Sequence, residues 1–187
     1  MLSQFSFVFK YPALLFGLLY VIFRLLYFYY GFDEDYYKYL VSINLLFIVL
    51  VIGFTLFNNY LQGFKPFFPT EMKASMRGVS LYAIILSLFM FIYYNSIDSG
   101  FFDQKLDAFR YELENRDYDA LPDVDNPLKV LELSKTDFIE REMEKAQSFN
   151  TPFAWSTLTL IGIMVVGLAY SLGMVLIRIK LLPLIFR

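Results

Sequence analysis

Four long apolar blocks alternate with short polar segments and one long polar segment along the chain. The blocks lie at about residues 7–30, 40–61, 71–96 and 151–177. Each is long enough for the roughly 20 residues that an α-helix needs to cross a bilayer. The first block ends in the aromatic run Tyr27 to Tyr30, which is typical of a helix anchored at the membrane interface. The pattern therefore predicts an all-α polytopic membrane protein with four transmembrane helices.

The segments between the first three blocks are short. The polar turn after the first block spans only residues 31–39, so the first two helices are predicted to form an antiparallel hairpin. Glycine and proline at Gly63, Pro66 and Pro69 separate the second block from the third. Thr70 is the predicted N-cap of the third helix. Residues 1–97 therefore form a first domain of three transmembrane helices.

The long polar segment, residues 98–150, carries two amphipathic patterns. A four-three-four spacing predicts one helical face made of Phe102, Leu106, Phe109 and Leu113. Asn126 and Pro127 have the form of an N-cap and a first helical residue, and they predict a second helix that continues to about Phe149. Its apolar side is made of Leu128, Leu131, Phe138, Ile139 and Met143. We therefore expect an extramembrane hairpin of two amphipathic helices, followed by the fourth transmembrane helix and a short basic tail in residues 151–187.

Composition narrows the chemistry that the chain can perform. The 187 residues are 58% hydrophobic and 20% aromatic, and they include no cysteine and no histidine. This excludes disulfides, thiolate chemistry, the usual zinc sites and histidine acid–base catalysis. The net charge of −2 provides no global basic field for nucleic acid. The run of acids around Asp117–Asn126 is interpreted as a solvated linker, because a calcium loop needs a glycine that this run lacks. We predict no catalytic residue, cofactor or metal site.

The charges of the short loops predict an orientation. Four crossings place the N-terminus, the second loop and the C-terminus on one side. Against the single acid Glu71, that side carries seven basic residues: Lys10, Lys65, Lys73, Arg77, Arg178, Lys180 and Arg187. The other side holds an acidic first loop and the insert, in which acids outnumber bases. Because short basic loops stay in the cytoplasm, we expect both termini inside and the insert in the periplasm of an inner-membrane protein.

Several residues within the helices are candidates for specific contacts. Arg24 lies inside the first helix, where a charge is costly unless it is paired or reaches the interface. One hypothesis is an ion pair or a lipid-headgroup contact, with Asp33, Asp98 or a partner subunit as the candidate partners. The other is a side chain that snorkels to the surface. Asn44 is a candidate for a hydrogen bond across helices. The fourth helix contains two pairs of small residues four apart, which let another helix approach closely: Gly167/Ser171 and Ala169/Gly173.

Motifs at the ends of the blocks suggest a family. They are Asn58-Asn59-Tyr60, the Pro69–Ala74 run with Gly78, the Ile92–Asp98 run, and the Phe149–Pro152 run before a glycine-rich helix. The layout resembles that of an uncharacterised four-helix membrane family common in Bacteroidota, known as a domain of unknown function. The resemblance implies the topology and an inner-membrane location, and it implies no catalytic residues.

These features favour a non-catalytic accessory or structural subunit of a larger membrane complex. Besides the lipid bilayer, we expect a protein partner bound in the membrane or at the periplasmic insert, and no nucleic acid. The candidates for helix packing or partner binding are Arg24, Asn44, Gly167, Ser171, Gly173, Phe102, Leu106, Phe109 and Phe138. A small transporter or channel component is the alternative, supported by Arg24 and Asn44. A lipid-modifying enzyme that uses Asp33, Asp98 and Asp103 is a third hypothesis.

Overall fold

The computed structural model describes residues 11–31, 37–63, 65–118, 120, 122 and 126–181, without the side chains of residues 37 and 181. Within these residues the chain is all-α. Four helices are long and apolar enough to cross a membrane: Pro12–Tyr30, Lys38–Leu61, Phe68–Ile97 and Pro152–Lys180. The prediction of four membrane-spanning helices is confirmed at this level.

Seven α-helices make up the described part of the chain. They are α1 (Pro12–Tyr30), α2 (Tyr37–Leu61), α3 (Phe68–Ile92), α4 (Phe101–Asn115), α5 (Pro127–Val130), α6 (Lys135–Phe149) and α7 (Pro152–Leu176). Single π-helical turns extend two of them, Tyr93–Ile97 after α3 and Ile177–Leu181 after α7. Such turns insert one residue into the α-helical register and often mark functional positions.

The ends of the membrane helices follow local backbone rules. Gly31 ends α1 in the left-handed conformation with φ of 60°, which glycine adopts without steric cost. The N-cap prediction at Thr70 is wrong, because α3 already begins at Phe68. Proline is tolerated in a first turn, where its missing N–H needs no partner, so Pro69 starts the helix instead of ending the loop. The backbone N–H of Glu71 donates to the Phe67 carbonyl at 3.0 Å and closes that turn.

The chain divides into two compact units. The bundle unit comprises Met1–Phe89 and Thr157–Arg187, and the insert unit comprises Met90–Ser156. In the bundle unit all four membrane helices contribute to one apolar core, with Phe16 on α1, Ile48 on α2, Leu86 on α3 and Val175 on α7 among its buried residues. The described parts of all four membrane helices thus share one core.

In the insert unit, α4 packs against α6. Leu113, Tyr118 and Phe138 are buried between them, and Phe109 and Ile139 pack against this core. The predicted N-cap at Asn126 is confirmed, since its side chain accepts a hydrogen bond from the Leu128 N–H at 3.0 Å.

The prediction of one continuous helix from residue 127 to 149 is wrong. The short helix α5 ends at Val130, and Glu132 adopts a positive φ of 53°, which breaks the helical path. Ser134 then caps α6 by accepting from the Asp137 N–H at 3.2 Å. A serine three residues before an acid is a standard helix start, and here it overrides the apolar periodicity.

Candidate functional site: a buried ion pair beside an apolar groove

A buried ion pair joins two distant parts of the bundle unit. Glu71 lies in the first turn of α3, and Arg178 lies in the π turn that follows α7. Arg178 Nη1 donates to Glu71 Oε2 at 2.5 Å. The Glu71 side chain is fully buried and that of Arg178 is 8% exposed. The two charges therefore neutralise each other inside the protein.

The second membrane helix takes part in the same cluster. Arg178 Nη1 also donates to the backbone carbonyl of Leu56 at 2.5 Å, and Asn59 Nδ2 donates to Glu71 Oε2 at 3.4 Å. Both residues belong to the last two turns of α2. One polar cluster thus ties α2, α3 and the end of α7 together.

The cluster leaves two polar atoms unsatisfied. Glu71 Oε1 and Arg178 Nη2 are both buried and have no hydrogen-bond partner. An unpaired polar atom in such a place costs about 1–3 kcal/mol, and more for a charged group. The arrangement therefore leaves one buried acceptor and one buried donor without a hydrogen-bond partner.

An apolar groove of about 460 Å³ adjoins the ion pair. The groove runs between α2 and the end of α7, and we call it the α2–α7 groove. It is lined by Gly53, Leu56, Phe57, Tyr60, Met174, Ile177 and Arg178. Arg178 is the charged member of this set, so the ion pair and the groove share one residue.

Asn44 makes the cross-helix hydrogen bond for which it was a candidate. Tyr82 Oη, on α3, donates to Asn44 Oδ1, on α2, at 2.7 Å. Tyr82 is fully buried. This bond fixes the register of α2 against α3.

Arg24 is 3% exposed and lies within the bundle unit. Its guanidinium carbon is 5.4 Å from the centre of the Tyr27 ring, one turn along α1. This burial agrees better with contacts inside the protein than with a side chain that reaches the interface. Asp33, one of the ion-pair partners considered for Arg24, lies outside the described residues.

The two pairs of small residues on α7 face different surroundings. A Cβ atom built on Gly167 would lie 2.3 Å from Cγ1 of Val79, so α3 and α7 touch there. Ser171 is also fully buried. A Cβ atom on Gly173 would meet nothing within 4 Å, and Ala169 is exposed. Only the Gly167/Ser171 pair is used for packing inside the bundle.

The apolar candidates of the insert lie in its own interior. Phe102 is 5% exposed and belongs to an aromatic cluster with Tyr94, Phe101 and Trp155, whose ring centres lie 4.8–6.2 Å apart. Lys105 Nζ lies 4.5 Å above the Trp155 ring.

The other three candidates pack closer to the hairpin core. Phe138 is buried in that core, Phe109 packs against it, and Leu106 is half-buried. The side chains of Phe102 and Phe138 therefore serve packing within the unit.

Tyr118 lies in a buried position in the insert. Its hydroxyl donates to the Leu113 carbonyl at 3.1 Å, and its ring stacks edge-on against Phe138. Burial raises the pKa of Tyr118 above its ordinary value, because the charged phenolate would lose contact with water. The neutral side chain is thus part of the hairpin core.

Sequence reasoning missed the ion pair. It counted Arg178 among the basic residues of the predicted cytoplasmic side, but Lys65, Lys73, Arg77 and Lys180 are exposed whereas Arg178 is buried. A signal was present in the sequence. Glu71 is the only acid among seven basic residues on its predicted side, and it lies within a span, where a charge needs a partner.

The described residues contain no group of three or more acids that is placed to hold a metal ion. Much of the acidic run from 117 to 126, interpreted as a linker, lies outside the described residues. Comparisons with protein-family models, with curated proteins and with solved structures gave no match to this chain. The function is therefore argued from the geometry above.

Proposed function

We propose that this protein is a non-catalytic subunit of a larger inner-membrane complex, and that its insert binds a partner protein in the periplasm. The observation that carries the proposal is that the insert folds around its own apolar core. Leu113, Tyr118 and Phe138 are buried between α4 and α6. The charged side chains of both helices are consequently left on the outside, where they are available to another protein.

The surface of the insert is strongly acidic. Residues 98–150 hold fourteen of the chain's 18 acids but only seven of its 16 basic residues, which is a net charge of −7. Asp103 and Asp107 on α4 and Glu140 and Glu144 on α6 are all exposed. Such a surface attracts and orients a basic partner. The partner's binding face is therefore proposed to be rich in lysine and arginine.

The polar groups within the bundle also support a structural role. Glu71 binds Arg178, and Asn44 accepts from Tyr82. Both contacts join one membrane helix to another. A transporter would use such groups to line a path for its solute. Here they hold helices in register, which is what a scaffold subunit requires.

The proposed topology has both termini in the cytoplasm and the insert in the periplasm, the orientation that the loop charges predict. The chain has no cysteine, so a single introduced cysteine is the only thiol to label. Glu144→Cys on the insert and Gln62→Cys after α2 both replace exposed residues. In spheroplasts, a membrane-impermeant maleimide should label the first but not the second. If only Gln62→Cys is labelled, the orientation is the opposite of the one proposed.

The partner proposal is tested by purification from native membranes in a mild detergent, followed by quantitative mass spectrometry. We expect a co-purifying protein in fixed stoichiometry. The double variant Glu140→Gln/Glu144→Gln removes two exposed carboxylates from α6 and should reduce that protein several-fold. Thr136→Ala/Gln147→Ala changes two exposed residues of the same helix without changing its charge, and it should leave the stoichiometry unaltered.

Two results would contradict the proposal. A preparation from native membranes that contains no second protein in fixed ratio would remove the case for a subunit. A partner that is retained equally by both double variants would show that the acidic face of the insert does not bind it.

A further inference from the structure

The α2–α7 groove is apolar at one end and charged at the other, as a phospholipid molecule is. Gly53 faces Met174, because a Cβ atom there would lie 3.4 Å from Met174 Cε, and Leu56 binds Arg178 through its carbonyl. The two helices therefore run in the same direction along the groove. Its deep end lies at Gly53 and Met174, and its other end lies about 10 Å further along α2, near the terminus of that helix.

The groove changes from apolar to charged along this direction. Its deep part is bounded by Phe57, Met174 and Ile177. At the helix ends it is bounded by Tyr60 and Arg178, and the exposed Lys180 follows two residues later. Tyrosine, arginine and lysine are the residues that typically lie at the level of lipid headgroups.

Arg178 has an unused donor at this place. Its Nη1 atom binds Glu71 and Leu56, whereas its buried Nη2 atom has no hydrogen-bond partner. A guanidinium binds phosphate well because two of its N–H groups match two phosphate oxygens. A phosphate oxygen at the groove end would supply the missing acceptor.

We infer that the α2–α7 groove binds one anionic glycerophospholipid, with an acyl chain between Phe57 and Met174 and its phosphate at Arg178. Glu71 does not prevent this, because its side chain lies outside the lining of the groove and its charge balances that of Arg178. The exposed Lys180 supplies the positive charge at the groove end that favours an anionic headgroup. In the proposed topology the site opens to the cytoplasmic leaflet, which is rich in anionic lipid.

A second groove of similar size differs from the α2–α7 groove in the charge of its lining residues. It has a similar volume, about 450 Å³, and lies between α1 and α2, with Tyr27, Tyr30 and Tyr39 among its lining residues. The described residues that line it include no charged side chain. It offers space for an acyl chain but nothing that selects a headgroup. Arg178 is thus the feature that lets the α2–α7 groove bind a phosphate as well as an acyl chain.

Native mass spectrometry of the full chain in detergent tests the inference. Phosphatidylglycerol and phosphatidylcholine with identical chains are added in equal amounts, and protein ions that carry each lipid are counted. We expect one phosphatidylglycerol to be retained about fivefold more than phosphatidylcholine, the ratio that corresponds to one basic residue at a membrane surface.

Two variants separate the tail from the headgroup. Gly53→Leu fills the deep end without touching the ion pair and should abolish retention of both lipids. Gly162→Leu is its control, because a Cβ atom at Gly162 meets nothing within 4 Å, and it should bind as the wild type does. Lys180→Gln removes the exposed positive charge at the groove end and should erase the preference for phosphatidylglycerol while the acyl chain still binds. A further variant, Glu71→Gln/Arg178→Gln, removes the guanidinium that binds the phosphate and should weaken the retention of both lipids.

The inference is overturned if both lipids bind equally to the wild type, or if Gly53→Leu retains phosphatidylglycerol as Gly162→Leu does. Displacement of the lipid by an equal concentration of inorganic phosphate would likewise rule out a role for the acyl chain. A wild-type dimer that Gly53→Leu dissociates would assign the groove to a second copy of the chain and would also refute lipid binding.

Discussion

Arg178 donates a hydrogen bond to Glu71, 107 residues earlier in the chain, and both side chains are buried at the same end of the bundle. The contact connects the end of α7 to the beginning of α3, and Leu56 and Asn59 add α2 to it. It links the last membrane helix to the two before it, in addition to the packing of Gly167 against Val79.

Removal of one partner of the ion pair should destabilise the protein more than removal of both. Glu71→Gln or Arg178→Gln leaves one buried charge alone, and we expect either to reduce the free energy of unfolding by about 3–5 kcal/mol. The double variant leaves no uncompensated charge and should lose less than either single variant. Unfolding titrations in detergent micelles measure all four proteins. Additive losses would mean that the two side chains do not interact.

Close contact between α3 and α7 should make Gly167 intolerant of any side chain. Gly167→Ala places a methyl group against the stiff Val79 side chain and should destabilise by about 1–3 kcal/mol. Val79→Ala in the same chain should recover part of this loss. Gly162→Ala is the matched control on the open side of α7, where alanine should be neutral or stabilising by up to about 1 kcal/mol. Equal effects at both glycines would contradict the packing described for Gly167.

The hydrogen bond between Tyr82 and Asn44 should contribute measurably to the bundle. Tyr82→Phe removes its donor and should reduce the free energy of unfolding by about 0.6–1 kcal/mol, as for other hydrogen bonds between membrane helices. Adding Asn44→Ala to Tyr82→Phe should then remove no further hydrogen-bond energy. Tyr60→Phe, which changes an exposed tyrosine, serves as the control. A larger loss in Tyr60→Phe than in Tyr82→Phe would contradict the prediction.

The insert should lose stability in alkaline solution through Tyr118. Since burial raises the pKa of Tyr118 in the folded protein, the unfolded chain releases that proton first, near its ordinary pKa of about 10. The contribution of Tyr118 is therefore constant below about pH 10 and is lost as the pH rises further. Urea titrations of the full chain in micelles, followed by helical circular dichroism from pH 8 to 11, measure this dependence.

Two tyrosine variants test whether Tyr118 causes the loss of stability in alkaline solution. Tyr118→Phe should be less stable at pH 8, because it loses the hydrogen bond to Leu113, but its stability should fall less steeply above pH 10. Tyr111→Phe changes an exposed tyrosine of α4 and should behave as the wild type does. An identical alkaline slope in all three proteins would assign the effect to other groups.

The number and approximate limits of the membrane helices followed from the apolar pattern, and so did the face of α4 that carries Phe102, Phe109 and Leu113. The reason is that both depend on neighbours in the chain: a span needs a length of apolar residues, and a helical face needs a spacing of three and four. The errors at Thr70 and at residues 131–134 arose where local turn chemistry overrode that spacing.

Only the tertiary structure determines which side chains of different membrane helices contact each other. Glu71 and Arg178 were both visible as charges at the same predicted end, but the spacing of residues on a single helix does not say which neighbouring helix a side chain meets. The same holds for Gly167 and Gly173, which belong to equivalent small-residue pairs, although only Gly167 touches α3. A helix has several faces and the packing of the bundle selects among them, so the contacts that fasten α7 could be read only from the folded chain.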